Sequence, residues 1–351
     1  MTFSKLHKAF HWEYWPSSLF YIPNLPYAFY LAAKAKHPAF FSVANPSIKS
    51  SGNGTESKFA TLALIPEKYK PKTILHVAES SIFDTIENLK TAKIEYPLIA
   101  KPDIGFRGLL VQKINSETEL INYLEKYPLH IVIQEFIAYK NECGIFYLRN
   151  PNEENGKITS VTLKKFLMVI GDGTSTLKEL IVKDKRASLY LDFLVEIHQE
   201  DLKRIPNFGE EVKLSVIGNH SKGTQFLNGN HLINNKLEST FDDLSKNING
   251  WFYGRIDLKY NDFAEVENGS DFKILEINGI ISEPTHIYDA ENSSYLKALK
   301  AIRTHWKSLY DISVINHKNN NIPYKSSKEF ISEMFQLRAY TKKVKSFSSL
   351  K

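Results

Sequence analysis

Two apolar segments late in the chain carry polar and charged side chains where a buried strand should have none. They are Gly254-Arg255-Ile256-Asp257 and Ile274-Leu275-Glu276-Ile277-Asn278. Side chains alternate between the faces of a strand, so Glu276 and Asn278, two apart, point the same way, as do Arg255 and Asp257. Pairing of the two strands can then set Asp257 beside Glu276 and Asn278 on one polar face. Three oxygen-bearing side chains in that position suit a hard divalent cation, and magnesium commonly joins one or two carboxylates to substrate phosphates. The competing interpretation is a sheet-edge strand with solvated acids.

At 351 residues the chain can bury a substantial core and divide into two or three lobes. Its single cysteine, Cys143, excludes an intrachain disulfide framework and a cysteine-rich zinc site. A reducing, cytoplasmic setting is expected, since no basic start, apolar run and small-residue cleavage site marks secretion. The net charge of +6 is uneven: Arg338, Lys342, Lys343, Lys345 and Lys351 follow the last acid, Glu333. Such a stretch reads as a solvated basic tail, with attraction to anionic lipid or nucleic acid as the alternative.

Residues 1–45 are rich in aromatic side chains, and Trp15 to Ala33 carries no charge. Pro16, Pro23 and Pro26 argue against a spanning helix. Packing against the body is expected; an aromatic surface lying on a membrane is the alternative, which would place the protein at a membrane surface. Residues 46–57, rich in Ser and Gly, read as a flexible loop. From 73 onward strands and helices alternate: strands at 73–77, 97–100, 111–114 and 131–136, helices at 80–92 and 117–126. Further strands are expected at 144–148, 158–170, 212–217, 251–260 and 272–277. Thr176 and Glu179 have the spacing of a capping box, and 296–310 reads as a closing helix.

An apolar strand ends at Lys101-Pro102, followed by Gly105 and Gly108 around Arg107. A lysine at a strand end beneath a glycine loop can clamp a phosphate. The glycine spacing is neither that of a P-loop nor that of a dinucleotide fingerprint. Gln134-Glu135-Phe136 closes the strongly apolar strand, and Glu142 follows seven residues after Glu135; acids so placed can accept from an adenine amino group or ribose hydroxyls. Of Lys164 and Lys165 only one can face a cleft, because neighbours on a strand point opposite ways.

Taken in order, Lys101 with its glycine loop, Gln134-Glu135-Phe136, Glu142, Lys164-Lys165, Gly171-Asp172-Gly173, Gly254-Arg255-Ile256-Asp257 and Leu275-Glu276-Ile277-Asn278 resemble the ATP-grasp ligases. The resemblance spans about residues 72–300. The pattern is most similar to the D-alanine–D-alanine ligase and cyanophycin synthetase branches. It implies an α+β chain with the ATP-grasp fold, two α/β lobes clasping the nucleotide: a small lobe at 72–137 and a large catalytic lobe at 138–312. An aromatic-rich segment at 1–71, contacting substrate or a surface, and a basic tail at 313–351 complete the expected division.

The resemblance implies ATP held by Lys101, Gly105, Arg107, Gly108, Gln134, Glu135, Phe136, Glu142 and Lys164. It implies Mg2+, or Mn2+ in its place, on Asp257, Glu276 and Asn278. Arg255 would neutralise the transferring phosphoryl group. Lys222, in Asn219-His220-Ser221-Lys222-Gly223-Thr224, would lie beside the reacting carboxylate. Arg186 resembles a substrate-side arginine. The partners implied are a small-molecule or peptide carboxylate and an amine, with no nucleic acid. Two stretches depart from the family pattern, the aromatic N-terminal segment and Gly279 to Thr285, and both fall where substrates are chosen. The activity implied is carboxylate–amine ligation through an acyl phosphate. A non-ligating nucleotide-binding protein attached to a membrane or partner and an ATP-grasp phosphotransferase are the alternatives.

Overall fold

The computed structural model describes residues 10–105, 108–215 and 218–348. In the small lobe β1 (Thr73–His76), β2 (Leu98–Pro102), β3 (Gln112–Ile114) and β4 (Ile131–Glu135) form an antiparallel sheet in the order β1-β4-β2-β3. Helices Ile82–Thr91 and Glu117–Lys126 pack on one face of it. Each starts after a serine, Ser81 or Ser116, whose side chain accepts from a first-turn backbone N–H, satisfying a group the helix cannot. Leu98, Ala100, Ile131 and Ile133 enter this helix-covered core. Alternation along β2 and β4 sends Lys101 and Gln134 to the opposite face.

The large lobe is built on β5 (Asn141–Leu148), β6 (Lys157–Lys165), β7 (Met168–Ile170), β8 (Glu211–Lys213), β9 (Gln225–Asn228), β10 (Tyr253–Tyr260) and β11 (Phe272–Asn278). Five of these form an antiparallel sheet in the order β11-β10-β5-β6-β9. Cys143, Ile145, Tyr147, Ile256, Leu258 and Tyr260 face a core with Leu237, Phe241 and Leu244 of the helix Asn235–Lys246. The other face changes character along its length. Phe146, Leu148 and Tyr253 pack against Leu309 and Ile312 of the helix Tyr295–Asn319. Further along the same strand faces stand Glu142, Gly144, Arg255 and Asp257, and there the small lobe meets the sheet.

A smaller unit stands beside them. β7 and β8 pair as a two-stranded sheet, with Leu167, Leu180, Ile181 and Leu194 buried among the helices Leu177–Lys183 and Leu191–Ile197. Thr176 and Glu179 form the reciprocal capping box. The strand expected over 158–170 is thus two strands in two sheets.

The α+β architecture with two sheet-based lobes is found as expected. Two expectations fail, and a third is made specific. Residues 46–57 are not a flexible surface loop: Ser51, Gly52, Asn53, Gly54 and Thr55 are buried. Asn45 anchors the segment, its amide nitrogen donating to Ser51 O and Tyr253 O and its oxygen accepting from Phe252 N and Tyr253 N. Gly52, at φ +81°, lies against Gly279; a Cβ there would stand 2.6 Å from the Gly279 Cα. The aromatic N-terminal residues Trp12, Phe20 and Tyr21 do pack on the body, around Ile287, Tyr288, Tyr295 and Trp306.

The C-terminal stretch is no frayed tail. The boundary at 313 falls inside the helix Tyr295–Asn319, and Ser327–Ser348 is a second helix. Tyr340, Val344 and Phe347 recur at helical spacing and dock on the small lobe, with Val344 only 1% exposed and Phe347 edge-on to Tyr127. Lys342, Lys343 and Lys345 take the outer side. Removing residues 337–351 strips this apolar contact and should lower folding stability by at least about 2 kcal/mol in denaturant titration. An unchanged unfolding midpoint would contradict the packing.

Candidate active site

The β10–β11 register places Asp257 opposite Glu276 and Arg255 opposite Asn278. Across β10 the next strand presents Gly144 to Asp257, and on β5 and β6 Glu142 stands opposite Lys164. A bulge follows Asp257 and drops Leu275 from the register. The Leu275 carbonyl accepts from Lys101 Nζ at 3.4 Å, and the same ammonium donates to Gln134 Oε1 at 3.0 Å. A small-lobe lysine therefore touches the strand that carries Glu276.

Asp257 is the hub. Lys164 Nζ lies 2.9 Å from Asp257 Oδ1 and 2.7 Å from Glu142 Oε1. Arg255 Nη2 donates to Asp257 Oδ2 at 3.0 Å, and its Nε reaches both oxygens at 3.2 Å. Asn278 Nδ2 donates to Asp257 Oδ2 at 3.0 Å and Glu276 Oε1 at 3.2 Å. The Lys164 and Glu142 side chains are 6% exposed and Asp257 is 5% exposed. Buried charges are tolerable only when paired, and deleting one partner of such a set costs about 3–5 kcal/mol.

Burial opposes ionisation of Asp257, but Arg255 and Lys164 outweigh it and hold the carboxyl down at about 2. For Lys164 burial works against the charge and is overcome by Asp257 and Glu142, so its affinity for the proton rises. Lys101 behaves differently: burial pushes it down to about 8, and attraction from Glu276 and Glu142 offsets this only in part. Its direct partners are an amide and a carbonyl, which carry no full charge.

Two carboxylates and an amide fit a hard cation whose remaining positions are filled by phosphate and water oxygens. Among the described residues no group of three His, Cys, Asp or Glu side chains is arranged to hold an ion. Asn278 turns its NH2 to the carboxylates; rotating the amide would bring its oxygen to the same place. Gly144 leaves the room the cluster occupies, since a Cβ there would lie 2.9 Å from Arg255 Cδ and 3.0 Å from Asp257 Oδ1.

The other sequence candidates divide. Lys164 turns inward and Lys165 outward. Phe136 lies under Lys113 and Lys259, whose ammonium groups stand 4.6 and 5.3 Å from its ring centre. Gly105 accepts through its carbonyl from Lys58 Nζ at 2.6 Å, and Gly108 has φ +68°. Arg107 lies outside the described residues. Glu135 is turned away from Gln134's side of the sheet and accepts from the Lys72 backbone N–H. Lys222 rests 4.0 Å over the Phe193 ring rather than among the Asp257 group. Arg186 is held by Glu13, Tyr14 and the carbonyls of Gly223 and Thr224.

Several neighbours were not anticipated. Asp103 Oδ1 accepts from Ser57 Oγ and Phe59 N, both at 2.9 Å, binding the first loop to the end of β2. Glu56, close enough to feel Glu276, has its carboxyl raised chiefly by burial. On the far side Glu283 joins Tyr21 and Tyr288 through its carboxylate and Arg255 through its carbonyl. Glu56-Ser57-Lys58 follows glycines in a stretch without apolar periodicity, so only its density of polar residues hinted at a role. Open depressions beside Tyr69 and Thr240, and beside Gly156 and Asp242, involve the helix Asn235–Lys246, on the sheet's other face.

No family model matches the sequence, and no curated protein does. Among solved structures the chain is similar to VanG D-Ala:D-Ser ligase from Enterococcus faecalis, with TM-score 0.42 and 13% identity over 76% of this chain and 63% of that one. It is similar to D-alanine–D-alanine ligase from Bacillus anthracis, with TM-score 0.42 and 14% identity over 79% of this chain and 72% of that one. It is also similar to a bifunctional glutathione synthetase from Pasteurella multocida, with TM-score 0.37 and 15% identity over 71% of this chain. The chain spans 36% of that synthetase's length. At such values the likeness assigns no role to any residue here.

Two predictions arise from this geometry. Gly144→Ala crowds Arg255 and Asp257 and should lower folding stability by at least about 1 kcal/mol in denaturant titration; an unchanged unfolding midpoint would show that the cluster tolerates the added methyl group. Beside it, His286 hydrogen bonds Ser160 and is pulled by burial from 6.5 to about 4. Its folded form binds a proton less readily than the unfolded chain, so its contribution to stability is present above about 6.5 and lost as pH falls toward 4. His286→Gln should flatten that part of the stability–pH curve; an identical slope would contradict it.

Proposed function

We propose that the protein is an ATP- and magnesium-dependent ligase that joins a carboxylate to an amine through an acyl phosphate. The observation that carries this reading is the facing pair Asp257 and Glu276 with Lys101, Lys164 and Arg255 gathered on the same buried face. Two acids suited to a divalent ion beside three cations suited to phosphate form a set whose charges complement a metal triphosphate.

A magnesium ion bound here would supply charge to offset that of the phosphate oxygens. Asp257, Glu276 and Asn278 would hold the ion, and Lys164 and Arg255, now on Asp257, would then be free to pair with the phosphate oxygens. Lys101, lightly held by Gln134 and the Leu275 carbonyl, is free to turn to the phosphates. Arg255 is placed to offset charge on the transferring group. A substrate carboxylate oxygen attacks the γ-phosphorus as its bond to ADP breaks. The amine then attacks the acyl carbon, phosphate leaves, and the nitrogen gives up a proton. Because the side chains of this face are covered, nucleotide entry requires the covering segments to part, and their return excludes water from the acyl phosphate.

The test is release of ADP and phosphate from the purified protein across a panel of carboxylates and amines. Release that needs both partners, and falls at least about a hundredfold in Glu276→Ala with the fold retained, is expected. A stable phosphorylated product formed without an amine would establish the phosphotransferase instead, and full turnover in Glu276→Ala would remove the metal assignment.

A further inference from the structure

The helix Leu25–Ala35 is apolar on both sides. Its inner side buries Leu31 beneath Phe40 and Tyr310. The outer side continues from the turn before it as Leu19, Ile22, Leu25, Phe29 and Tyr30, all exposed, Phe29 by 71%. Leu25 and Phe29, four apart, share one side of the helix, and Leu19 and Ile22 extend the exposed apolar surface through the two short helical turns before it. A surface helix normally turns charged residues outward, whereas here the first charge is Lys34 at the far end.

Beside the stripe runs a row of cations. On the first half of the helix Tyr295–Asn319, up to Lys307, the exposed residues are Leu296, Lys297, Lys300, Arg303, Thr304 and Lys307. The row is tied to the stripe: Arg303 Nε donates to Asn24 Oδ1 at 2.6 Å and Nη2 to Pro23 O at 3.1 Å. Lys34 Nζ stands 5.0 Å over the Tyr310 ring, joining the two helices at the other end. Acids are missing from both stretches, with none between Glu13 and Glu56 and none between Glu291 and Asp311. Asp311 itself is paired with Lys307 at 2.6 Å.

We propose that this face binds the surface of an anionic lipid bilayer, with Leu19, Ile22, Leu25, Phe29 and Tyr30 entering the boundary between headgroups and acyl chains and the lysine row meeting lipid phosphates. An apolar stripe with cations on its flank is the pattern of a helix lying in the interface plane. Exposed apolar side chains alone would suit a second copy of the chain, but two copies would bring like-charged rows together. No helix among the described residues is long and apolar enough to cross a membrane, so the contact is peripheral. Nothing in it depends on the nucleotide site, and either assignment can fail without the other.

Flotation of the full-length protein with vesicles tests it. The protein should float with vesicles of phosphatidylglycerol and phosphatidylcholine, and not with phosphatidylcholine alone, and rising salt should weaken the association. Lys297→Glu with Lys300→Glu should reduce partition at least about tenfold. Leu25→Ser with Phe29→Ser should abolish it while the melting temperature stays unchanged, because both side chains are exposed. Failure to float with anionic vesicles, or flotation indifferent to both double variants, overturns the proposal. Self-association lost in the Leu25–Phe29 variant without any flotation would assign the face to a second copy instead.

Discussion

The buried carboxylate of Asp257 is the interaction on which the arrangement rests. An ionised group in that position needs several donors, and the strands supply them from three directions: Arg255 from its own strand, Asn278 from β11 and Lys164 from β6. Lys164 in turn needs Glu142, and Glu142 sits on β5 where alternation brings it to the same face. Gly144 between them has no side chain because the space is taken by Arg255 and Asp257. The cluster holds together without a ligand because each of its buried charges already has an opposite partner.

The coverings follow from the same demand for low solvent access. The first loop enters through Asn45 and through the back-to-back glycines Gly52 and Gly279, while Ser57 and Asp103 tie it to the end of β2. The C-terminal helix seals the loop from outside: Glu333 accepts from Ser50 and Asn53 and pairs with Lys325, which also donates to Ser50. At its far end the same helix places Val344 in the small-lobe core. One helix thus touches both the first loop and the lobe that carries Lys101.

Much of this was legible because strand periodicity is strict. Glu276 and Asn278 could be put on one face from spacing, with Asp257 beside them once the two strands pair, as could the rule that Lys164 and Lys165 diverge. The α+β pattern of the small lobe was readable because its helices carry strong apolar faces and serine caps. What escaped was set by tertiary contact. Residues 46–57 have the composition of a solvated loop, and their burial depends on Asn45 meeting the Tyr253 backbone more than two hundred positions away. The C-terminal helix hides three apolar residues among lysines, and net charge outweighed their spacing in the sequence. Alternation sends Gln134 toward Lys101 and Glu135 to the Lys72 backbone, a division the sequence reading, which named both, did not make.

The most direct measurement is the anomalous scattering of Mn2+ in crystals grown with a non-hydrolysable ATP analogue. The account predicts a peak at about 2.1–2.2 Å from oxygens of Asp257 and Glu276, with the triphosphate alongside and Lys164 and Arg255 turned to its phosphates. Manganese and nucleotide bound elsewhere, with Asp257 still saturated by Lys164 and Arg255, would contradict it.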